Sequence, residues 1–468
     1  MVDTTRGASP GGARSSVPSG RGLAGCTFFP ANGGLRGHLR VPGDKSISHR
    51  AVLLGAVSDR SVQVEGFLHS ADTLATLAAV QALGVAVEDH GHGRLTVHGR
   101  GWAGLVEPDN VVDVHNAGTL MRLLPGLVAA CPFLVVLTGD ASIRRRPMGR
   151  VLEPLAAMGA TVWARAGDQL PPVGIRGGAL RGVRHEMTVS SAQVKSCLLL
   201  AGLRASGTTE VIEPGPSRDH TERMIRMGGA SVEREGSPTG PGLVRVYPAE
   251  TLRLPDLAVP GDFSSAAFPL VAALLVPDSE LTVEGVGLNP TRTGLLDVLR
   301  AMGARLAVMV DAGAPGAEGV GESTGSVTAG SSDLKAVDIG AAHVSLMIDE
   351  LPIWALAAAR AEGVSRLREA GELRVKESDR LSALATLLRA LGVRVQEYDD
   401  GLDIEGRPEG WASGRIETHH DHRLSMVGAV AGLASRRGVT VDDVTCTNVS
   451  FPGFVDTMKK LTGSGRSV

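Results

Sequence analysis

The strongest constraint on the fold is a pattern that the sequence repeats. Each copy is an amphipathic helical pattern that ends at a glycine and changes at once to alternating apolar positions. Glycine closes a helix well because it takes positive φ without strain. Successive glycines are 75, 70, 74, 89 and 71 residues apart, which predicts six helix-strand units in an α/β protein. These glycines are Gly84, Gly159, Gly229, Gly303, Gly392 and Gly463.

A second repeated motif predicts how the six units are divided. The tetrapeptide VPGD occurs at 41–44 and again at 259–262, each time before a helical pattern. Proline fixes φ, glycine permits the turn, and Asp or the following Ser caps the helix. Two such segments indicate that the chain crosses twice between two lobes, with three units in each. We predict a disordered leader at 1–26, a discontinuous lobe at 27–43 plus 261–468, and an inserted lobe at 44–260, joined by a two-stranded hinge.

Two local features complete the predicted topology. The sixth helix, Phe454–Leu461, is not followed by a strand, so we expect Gly37–Val41 to supply it and the two chain ends to close one unit. The longest interval between glycines contains a stretch rich in Gly, Ser and Ala at Asp311–Ser332. That composition predicts an insertion in a surface loop.

Composition argues against several classes of function. The net charge of -3 and the aromatic content of 3% argue against a nucleic-acid binder. The apolar runs are far too short to span a bilayer, and the N-terminal residues lack the apolar core of an export signal. Four dispersed cysteines are typical of a reduced, cytoplasmic protein. We expect a cytoplasmic protein that binds neither nucleic acid nor membrane.

Three segments of the inserted lobe combine cations with helix starts, where backbone N–H groups favour anions. VPGDKSISHR places Lys45, Ser46 and Arg50 at the first hinge segment. HNAGTLMR contains Gly118, which allows a ligand to approach the backbone closely. RRRP ends at Arg146, and because three adjacent arginines cannot share one direction, at least one should face solvent. A solvated cationic face or an ordinary turn explains each segment equally well when it is taken alone.

The discontinuous lobe adds a second set of charged residues. RVKESDR contains Lys376, Glu377 and Arg380, which we expect on a helix, and THHDHR contains Arg423. The His and Asp residues of THHDHR invite a metal interpretation, but they are too crowded for one ion and lack a distant partner. Asp349 lies in an apolar stretch, so it needs a cationic or hydrogen-bonding partner.

Taken in order, ten motifs give the chain a resemblance to the 5-enolpyruvylshikimate-3-phosphate synthase family over about residues 35–461. The motifs are VPGDKSISHR, NAGTLMR, RRRP, SSAQVKS, SRDHTE, VPGDFSSAA, DELP, RVKESDR, THHDHR and CTNVSFPGF. The resemblance implies two lobes of three βαβαββ-type units each, an inside-out α/β barrel. It implies a transferase that moves the enolpyruvyl group of phosphoenolpyruvate to the 5-hydroxyl of shikimate 3-phosphate, in chorismate and aromatic amino acid biosynthesis. It implies no metal or other cofactor, and we expect a monomer.

The resemblance also assigns roles residue by residue. Asp349, Glu377 and Lys45 are the implied catalytic residues, with Asp349 as the base and Glu377 and Lys376 as candidate proton donors. The implied contacts to shikimate 3-phosphate are Lys45, Ser46, Arg50, Ser191, Ala192, Gln193, Asp349 and Lys376, with Ser217 or Arg218 as possible additions. The implied contacts to phosphoenolpyruvate are Lys45, Gly118, Arg146, Arg380 and Arg423.

Other interpretations stay open from the sequence. Some family members carry a Lys where Val449 stands here, so one contact to phosphoenolpyruvate is absent. A UDP-N-acetylglucosamine enolpyruvyl transferase would have a reactive Cys in the loop 141–148, and this loop has none. A relative that acts on a modified acceptor in a specialised pathway is not excluded. A non-catalytic anion-binding paralogue should have lost charged site residues, but they are all retained here.

Overall fold

The computed structural model describes residues 25–312 and 321–462. Of the predicted leader, residues 1–24 lie outside these ranges, and Cys26 already begins a strand. The helices are α1 Lys45–Ala56, α2 Ala71–Ala82, α3 Gly118–Val128, α4 Gly149–Met158, α5 Arg165–Asp168, α6 Ala192–Gly202, α7 His220–Met227, α8 Phe263–Leu275, α9 Gly294–Ala301, α10 Ala341–Met347, α11 Leu351–Ala358, α12 Arg380–Ala390, α13 His422–Leu433 and α14 Phe454–Leu461.

Most strands are short and belong to small sheets. They are β1 Cys26–Phe28, β2 Arg36–Arg40, β3 Ser61–Glu65, β4 Val87–Asp89, β5 Leu95–His98, β6 Val112–Asp113, β7 Leu134–Thr138, β8 Thr161–Ala164, β9 Leu170–Arg176, β10 Leu180–Arg181, β11 Arg184–Glu186, β12 Ala205–Ser206, β13 Thr209–Glu213, β14 Val232–Gly236, β15 Gly242–Val246, β16 Leu257–Ala258, β17 Glu280–Gly287, β18 Arg305–Val310, β19 Thr324–Gly330, β20 Asp338–Ile339, β21 Val364–Leu367, β22 Arg394–Tyr398, β23 Gly401–Glu405, β24 Ser413–Ile416 and β25 Gly438–Val441.

The predicted helix-glycine-strand units are present in the structure. The five predicted glycines that it describes after α2, α4, α7, α9 and α12 all have positive φ, between 79° and 112°. A strand begins two or three residues after each of them. The periodicity therefore predicted these units correctly, because glycine adopts the left-handed conformation that ends each of these helices. Gly463, the sixth predicted glycine, lies outside the described residues.

One strand order recurs through the described sheets. In the sheet β6–β7–β9–β8, a parallel pair is followed by two antiparallel pairs. The sheets β16–β3–β5–β4, β11–β13–β15–β14, β2–β17–β19–β18 and β20–β21–β23–β22 repeat it, and β24–β25–β1 repeats its first three positions. The arrangement matches the predicted set of six related units.

One detail of the predicted topology is wrong, and a second is wrong in part. The strand that completes the sixth sheet is β1, which pairs antiparallel with β25, and not Gly37–Val41. That segment forms β2 instead and pairs in parallel with β17. The predicted insertion Asp311–Ser332 contains β19, the strand between β18 and β17. Val327 and Ala329 of β19 are fully buried, so this part of the stretch is a core strand and not a surface loop. Residues 313–320 of the predicted insertion lie outside the described residues.

The buried apolar side chains form two separate clusters. One contains Phe28, Leu35 and residues between 263 and 458, and the other lies entirely between 47 and 259. We propose that the lobes meet at the two VPGD segments, with the boundaries that the sequence predicts. Below, the inserted lobe is 44–260, and the discontinuous lobe is 27–43 together with the described residues from 261 onward.

The two VPGD segments pair with each other and form the hinge. The Asp44 backbone N–H donates to the Pro260 carbonyl and the Asp262 N–H donates to the Pro42 carbonyl, both at 2.8 Å. The Asp44 side chain caps α1 by accepting from the Ile47 N–H, and the Asp262 side chain caps α8 by accepting from the Ser264 N–H. Each crossing therefore leads directly into a helix whose start is fixed relative to the hinge.

None of the helices in the described ranges is both long and apolar enough to cross a membrane alone. The neighbouring helices α10 and α11 meet the length and composition test only as a pair, with a bend of 118° between them. All eight residues of α11 are buried inside the discontinuous lobe. Packing in the protein core therefore explains why the sequence of α11 is apolar.

Substituting the two hinge glycines with alanine should have unequal effects. A Cβ on Gly43 would lie 1.8 Å from the Gly66 carbonyl oxygen, whereas a Cβ on Gly261 would approach no atom closer than 3.0 Å. Because backbone cannot move aside easily, Gly43→Ala should lower the free energy of unfolding by about 2 kcal/mol or more, and Gly261→Ala by less than about 1 kcal/mol. Urea unfolding of both variants measures the difference, and equal effects would contradict the hinge geometry.

Candidate active site

A cleft of about 740 Å³ lies between the lobes. Its walls come from helix starts and loops: the starts of α1, α3, α6 and α13, the turns before α7 and α9, and the segment before α12. Backbone N–H groups at a helix start have no partner inside the helix and carry the positive end of its dipole. Several helix starts in one cleft therefore favour an anionic ligand.

Asp349 is a carboxylate in the cleft that four arginines surround. Its carboxylate forms an ion pair with Arg218 of the inserted lobe. From the discontinuous lobe, the nearest guanidinium nitrogens lie 3.5 Å away for Arg423, 3.6 Å for Arg380 and 3.7 Å for Arg292. Burial alone would raise the pKa of Asp349, but the surrounding cations, chiefly Arg423 and Arg218, hold that pKa well below its usual range. The sequence-based expectation that Asp349 needs a cationic partner is confirmed.

Glu377 and Lys376 lie side by side before α12 and have opposite charge environments. Glu377 contacts Arg380 at 2.6 Å and Arg146 of the other lobe at 3.8 Å. These cations keep its pKa well below the usual range despite burial, which acts in the opposite direction. Burial lowers the pKa of Lys376 to about 8, against the opposing effect of Asp349. Of this pair, only Lys376 titrates near neutral pH.

Gly118 allows two arginines to crowd the start of α3. A Cβ on Gly118 would lie 2.8 Å from a nitrogen of Arg146 and 3.1 Å from one of Arg122. Arg146 donates to the Asn116 side-chain oxygen at 2.8 Å, and Arg122 donates to Gln193 Oε1 at 2.9 Å. Burial, together with nearby arginines, lowers the pKa of Arg122 to about 9. This corner of the cleft therefore concentrates positive charge around a small glycine.

Acidic side chains on the opposite wall balance part of this charge. Arg150 of the inserted lobe lies 3.3 Å from both carboxylate oxygens of Glu372, which belongs to the discontinuous lobe. Lys45 pairs with Asp72 at 3.1 Å on its own side. The cations of the wall are Lys45, Arg122, Arg146, Arg150, Arg218, Arg292, Lys376 and Arg423, and the carboxylates are Asp72, Asp262, Asp349, Glu369, Glu372 and Glu377. An anionic ligand would compete with these carboxylates for the arginines.

Most residues that the sequence predicts for the site come together in this cleft. They are Lys45, Ser46, Gly118, Arg146, Ser191, Ala192, Gln193, Asp349, Lys376, Glu377 and Arg423. As expected of the triple-arginine segment, its other two members, Arg144 and Arg145, are exposed. Lys376 and Glu377 are not on a helix as predicted, because α12 begins only at Arg380.

Two predicted residues lie behind the wall. Arg50 is 3% exposed and donates to the Ser46 carbonyl at 2.9 Å, to Thr221 Oγ1 at 2.7 Å and to Ser196 Oγ at 2.9 Å. Arg380 is 1% exposed and donates to both carboxylate oxygens of Asp421. Their predicted contacts to substrate stay predictions, and in this structure both arginines support residues of the wall.

Arg292 is a site residue that the sequence did not predict. It follows Asn289 in a loop before α9, and only its position at a helix start could have drawn attention to it. Its guanidinium lies 2.9 Å from Asp262 and 3.5 Å from Asp44, the two hinge aspartates. It also faces Asp349, so one arginine links both crossings of the hinge to the centre of the cleft. Arg122 belongs to the predicted HNAGTLMR motif but was given no role there, and Arg150 was not predicted.

The pKa values of the two hinge aspartates, Asp44 and Asp262, are shifted in opposite directions. Burial would raise the pKa of Asp44, but Arg292 and His220 lower it below its usual value. Burial and the nearby Asp44 raise the pKa of Asp262 to about 6. Because the two carboxylates lie close together around Arg292, their negative charges repel, and the ionised form of one makes ionisation of the other less favourable.

The His and Asp residues of THHDHR make contacts within the protein. His420 pairs with Asp443 at 3.1 Å, and Asp421 pairs with Arg380 at 2.8 Å. His422 lines the cleft, and burial followed by the nearby Lys45 lowers its pKa to about 3. Over residues 25–312 and 321–462, no group of three or more His, Cys, Asp or Glu side chains is arranged to hold a metal ion.

Comparison with known proteins gives one consistent family. The family model for EPSP synthase (3-phosphoshikimate 1-carboxyvinyltransferase) matches residues 31–458. A 3-phosphoshikimate 1-carboxyvinyltransferase of Geobacter metallireducens is 48% identical over 93% of this chain and 98% of its own. An EPSP synthase structure from Acinetobacter baumannii superimposes with a TM-score of 0.81 at 40% identity, over 93% of this chain and 97% of that one.

A more distant solved structure shows how widely the fold is used. The enolpyruvyl transferase NikO from Streptomyces tendae has a TM-score of 0.73 at 21% identity, over 93% of this chain and 97% of that one. At that identity the likeness concerns the fold alone.

The hinge aspartates should give pH dependences of opposite sign. A carboxyl whose folded pKa is raised to about 6 loses stability as pH rises from about 4 to 6, by up to about 3 kcal/mol. Asp262→Asn, which keeps the helix cap, should therefore gain stability relative to the wild type over that range.

A carboxyl whose folded pKa is lowered contributes stability above about pH 4, so Asp44→Asn should lose relative stability there. Denaturant titrations from about pH 2 to 7 check both signs, because the stability that Asp44 contributes is lost only as pH falls below about 4.

Removing the charge of Asp349 should strengthen anion binding. Asp349→Asn leaves Arg218, Arg292, Arg380 and Arg423 without their shared counter-ion. We expect its dissociation constant for inorganic phosphate to fall about tenfold, measured by calorimetry at low salt. The control is Asp297→Asn, which removes a carboxylate paired with Arg300 on the surface. Equal phosphate affinity in the wild type and Asp349→Asn would contradict the assigned charge balance.

Proposed function

The chain belongs to the EPSP synthase family, and we propose that its interlobe cleft transfers the enolpyruvyl group of phosphoenolpyruvate to the 5-hydroxyl of shikimate 3-phosphate, releasing phosphate. One observation carries the proposal. Over almost its whole length the chain is 48% identical to a 3-phosphoshikimate 1-carboxyvinyltransferase, and its charged motifs converge on one cleft. Two substrates that carry phosphate and carboxylate groups match a wall rich in arginine and helix starts.

We assign the two substrates to neighbouring parts of the cleft. Shikimate 3-phosphate is bound by the starts of α1 and α6 and by the loop around Asp349, and Lys45 touches both substrates. Phosphoenolpyruvate is bound where Gly118 leaves room beside Arg146, with Arg423 facing it from the other lobe. Arg50 and Arg380 are buried next to these wall residues and hold them in position through hydrogen bonds and ion pairs. The acceptor residues are Lys45, Ser46, Arg50, Ser191, Ala192, Gln193, Asp349 and Lys376, with Ser217 or Arg218 in addition, and the phosphoenolpyruvate residues are Lys45, Gly118, Arg146, Arg380 and Arg423.

The reaction needs one proton delivered to phosphoenolpyruvate and one removed from the acceptor. Protonation of the methylene carbon leaves a cationic centre at the carbon that bears phosphate, and the 5-hydroxyl attacks it. The tetrahedral product then loses phosphate and a proton from the new methyl group, which restores the double bond. No metal or covalent enzyme intermediate is required, because substrate and side chains supply every proton.

The pKa values of the cleft support particular roles. Asp349 is the proposed base, and its pKa is held low by arginines that are also the proposed substrate contacts. When substrate anions engage Arg218 and Arg423, their pull on Asp349 weakens, so its pKa rises and it becomes a stronger base. Lys376, with a pKa of about 8, carries a proton that it can release near neutral pH. Glu377 and Lys45 complete the proton path beside it.

We further propose that the enzyme acts as a monomer in the cytoplasm. Both walls of the cleft come from one chain, which supports the monomer. Cys26, Cys131, Cys197 and Cys446 are all free thiols, which is compatible with a reducing compartment.

Phosphate release with both substrates tests the function. Asp349→Ala should lower kcat about 100-fold or more, and Arg146→Ala should raise the KM for phosphoenolpyruvate about tenfold or more. The matched control is Arg145→Ala, because Arg145 is adjacent to Arg146 in sequence but exposed, and its constants should stay within about twofold of the wild type. Turnover that needs both substrates and responds in this way supports the proposal.

Two outcomes would point to the alternatives that the sequence left open. If the wild type binds shikimate 3-phosphate and phosphoenolpyruvate without releasing phosphate, the protein is a non-catalytic anion-binding relative. If it consumes phosphoenolpyruvate only with a different cyclic alcohol, it serves a specialised pathway. Activity that survives in Asp349→Ala would leave the reaction standing and reject Asp349 as the base.

A further inference from the structure

A lysine that takes no part in the proposed chemistry is completely buried beneath the acceptor half of the cleft. Lys195 is 0% exposed and lies on α6, one helical turn after Ser191 and Ala192 in the cleft wall. A buried ammonium group is costly unless charges and hydrogen bonds compensate it. The groups that compensate the charge of Lys195 show which part of the chain it holds in place.

Lys195 joins three points of one segment. Its Nζ donates to Glu213 Oε2 at 3.1 Å and to the Ser217 carbonyl at 3.4 Å, and it forms an ion pair with Glu222 at 2.7 Å. Glu213 ends β13 and Glu222 lies in the first turn of α7, so these contacts tie both ends of the segment 213–222 to α6. The middle of that segment forms cleft wall.

The same network reaches the residues of the wall directly. The Ser217 hydroxyl donates to the second oxygen of Glu213, and Arg234 donates to Glu213 Oε2 at 2.6 Å. Two cations thus balance the two buried carboxylates Glu213 and Glu222. The next residue after Ser217 is Arg218, which donates to Asp349 across the cleft and to Ser46 Oγ at 3.4 Å.

We propose that Lys195 is a positioning residue for the acceptor site: it fixes Ser217 and Arg218 relative to Ser191, Ala192 and Gln193. This inference rests on the proposed function, since it takes the contacts of those residues to be with shikimate 3-phosphate. The side chain touches no substrate itself. Both α6 and the segment 213–222 contribute residues to the cleft wall. They are not adjacent in the chain, so non-covalent contacts such as those of Lys195 must fix the distance between them.

Lys195→Met should weaken acceptor binding selectively. Without the ammonium group, Glu213 and Glu222 lose a shared cation and the Ser217 carbonyl loses a hydrogen bond, so the segment that carries Arg218 loses this tie to α6. We expect the KM for shikimate 3-phosphate to rise about tenfold or more, with kcat at saturation and the KM for phosphoenolpyruvate within about threefold. Lys195→Arg, which keeps the charge, should recover most of the affinity. An unchanged KM for shikimate 3-phosphate in Lys195→Met would overturn the proposal.

Two further variants separate positioning from loss of stability. Leu199→Ala removes a fully buried side chain of the same helix that packs only in the apolar core, so it should lower Tm without raising the KM for shikimate 3-phosphate. Lys195→Met/Glu222→Gln removes one charge of each sign and is the variant to use if the single substitution does not fold. It should still raise the KM, because the tie to Ser217 is lost. A normal KM in this double variant would overturn the proposal.

A measurement independent of turnover keeps this inference distinct from the proposed function. Hydrogen exchange of peptides within 213–222 should be faster in Lys195→Met than in the wild type, and unchanged in Leu199→Ala. If this segment is equally protected in all three proteins, Lys195 does not position it. A wild type that fails to turn over shikimate 3-phosphate would instead reject the proposed function, whatever the exchange rates show.

Discussion

The neutralisation of Asp349 by arginines from both lobes is the interaction on which the cleft depends. Arg218 approaches from the inserted lobe, and Arg292, Arg380 and Arg423 approach from the discontinuous lobe. So many cations could not share a small volume without a central carboxylate, and a buried carboxylate could not stay ionised without them. The ion pair between Arg218 and Asp349 therefore links the two lobes, and the surrounding arginines set the acidity of the proposed base.

The repeated unit explains why the charges meet in this place. Each lobe is built from related sheets and helices, and the helices that begin at the cleft present their N-terminal ends to it. The hinge adds a constraint, since Asp44 and Asp262 cap the helices that follow the two crossings and both lie against Arg292. The orientation of α1 and α8 is thus coupled to the same arginine that faces Asp349.

A second layer of polar residues stands behind the wall. Arg50 joins α1 to Ser196 and Thr221, and Lys195 joins α6 to the segment that carries Arg218. Both cations are buried and compensated, as low polarity around them demands. The residues of the inserted lobe that we propose to bind substrate are therefore held by hydrogen bonds to buried cations. These hydrogen bonds give them the fixed geometry that catalysis needs.

The sequence by itself determined the six units, the two crossings and most of the wall. Helix-closing glycines and VPGD segments are local signals, because they reflect the backbone preferences of single residues. The sequence misjudged Gly37–Val41 and the part of Asp311–Ser332 that forms β19, since strand pairing depends on partners far away in the chain. Only the tertiary structure decided that Arg50 and Arg380 lie behind the wall and that Arg292 lies in it. The physical reason is that burial and charge compensation depend on the distances between segments, which no local pattern contains.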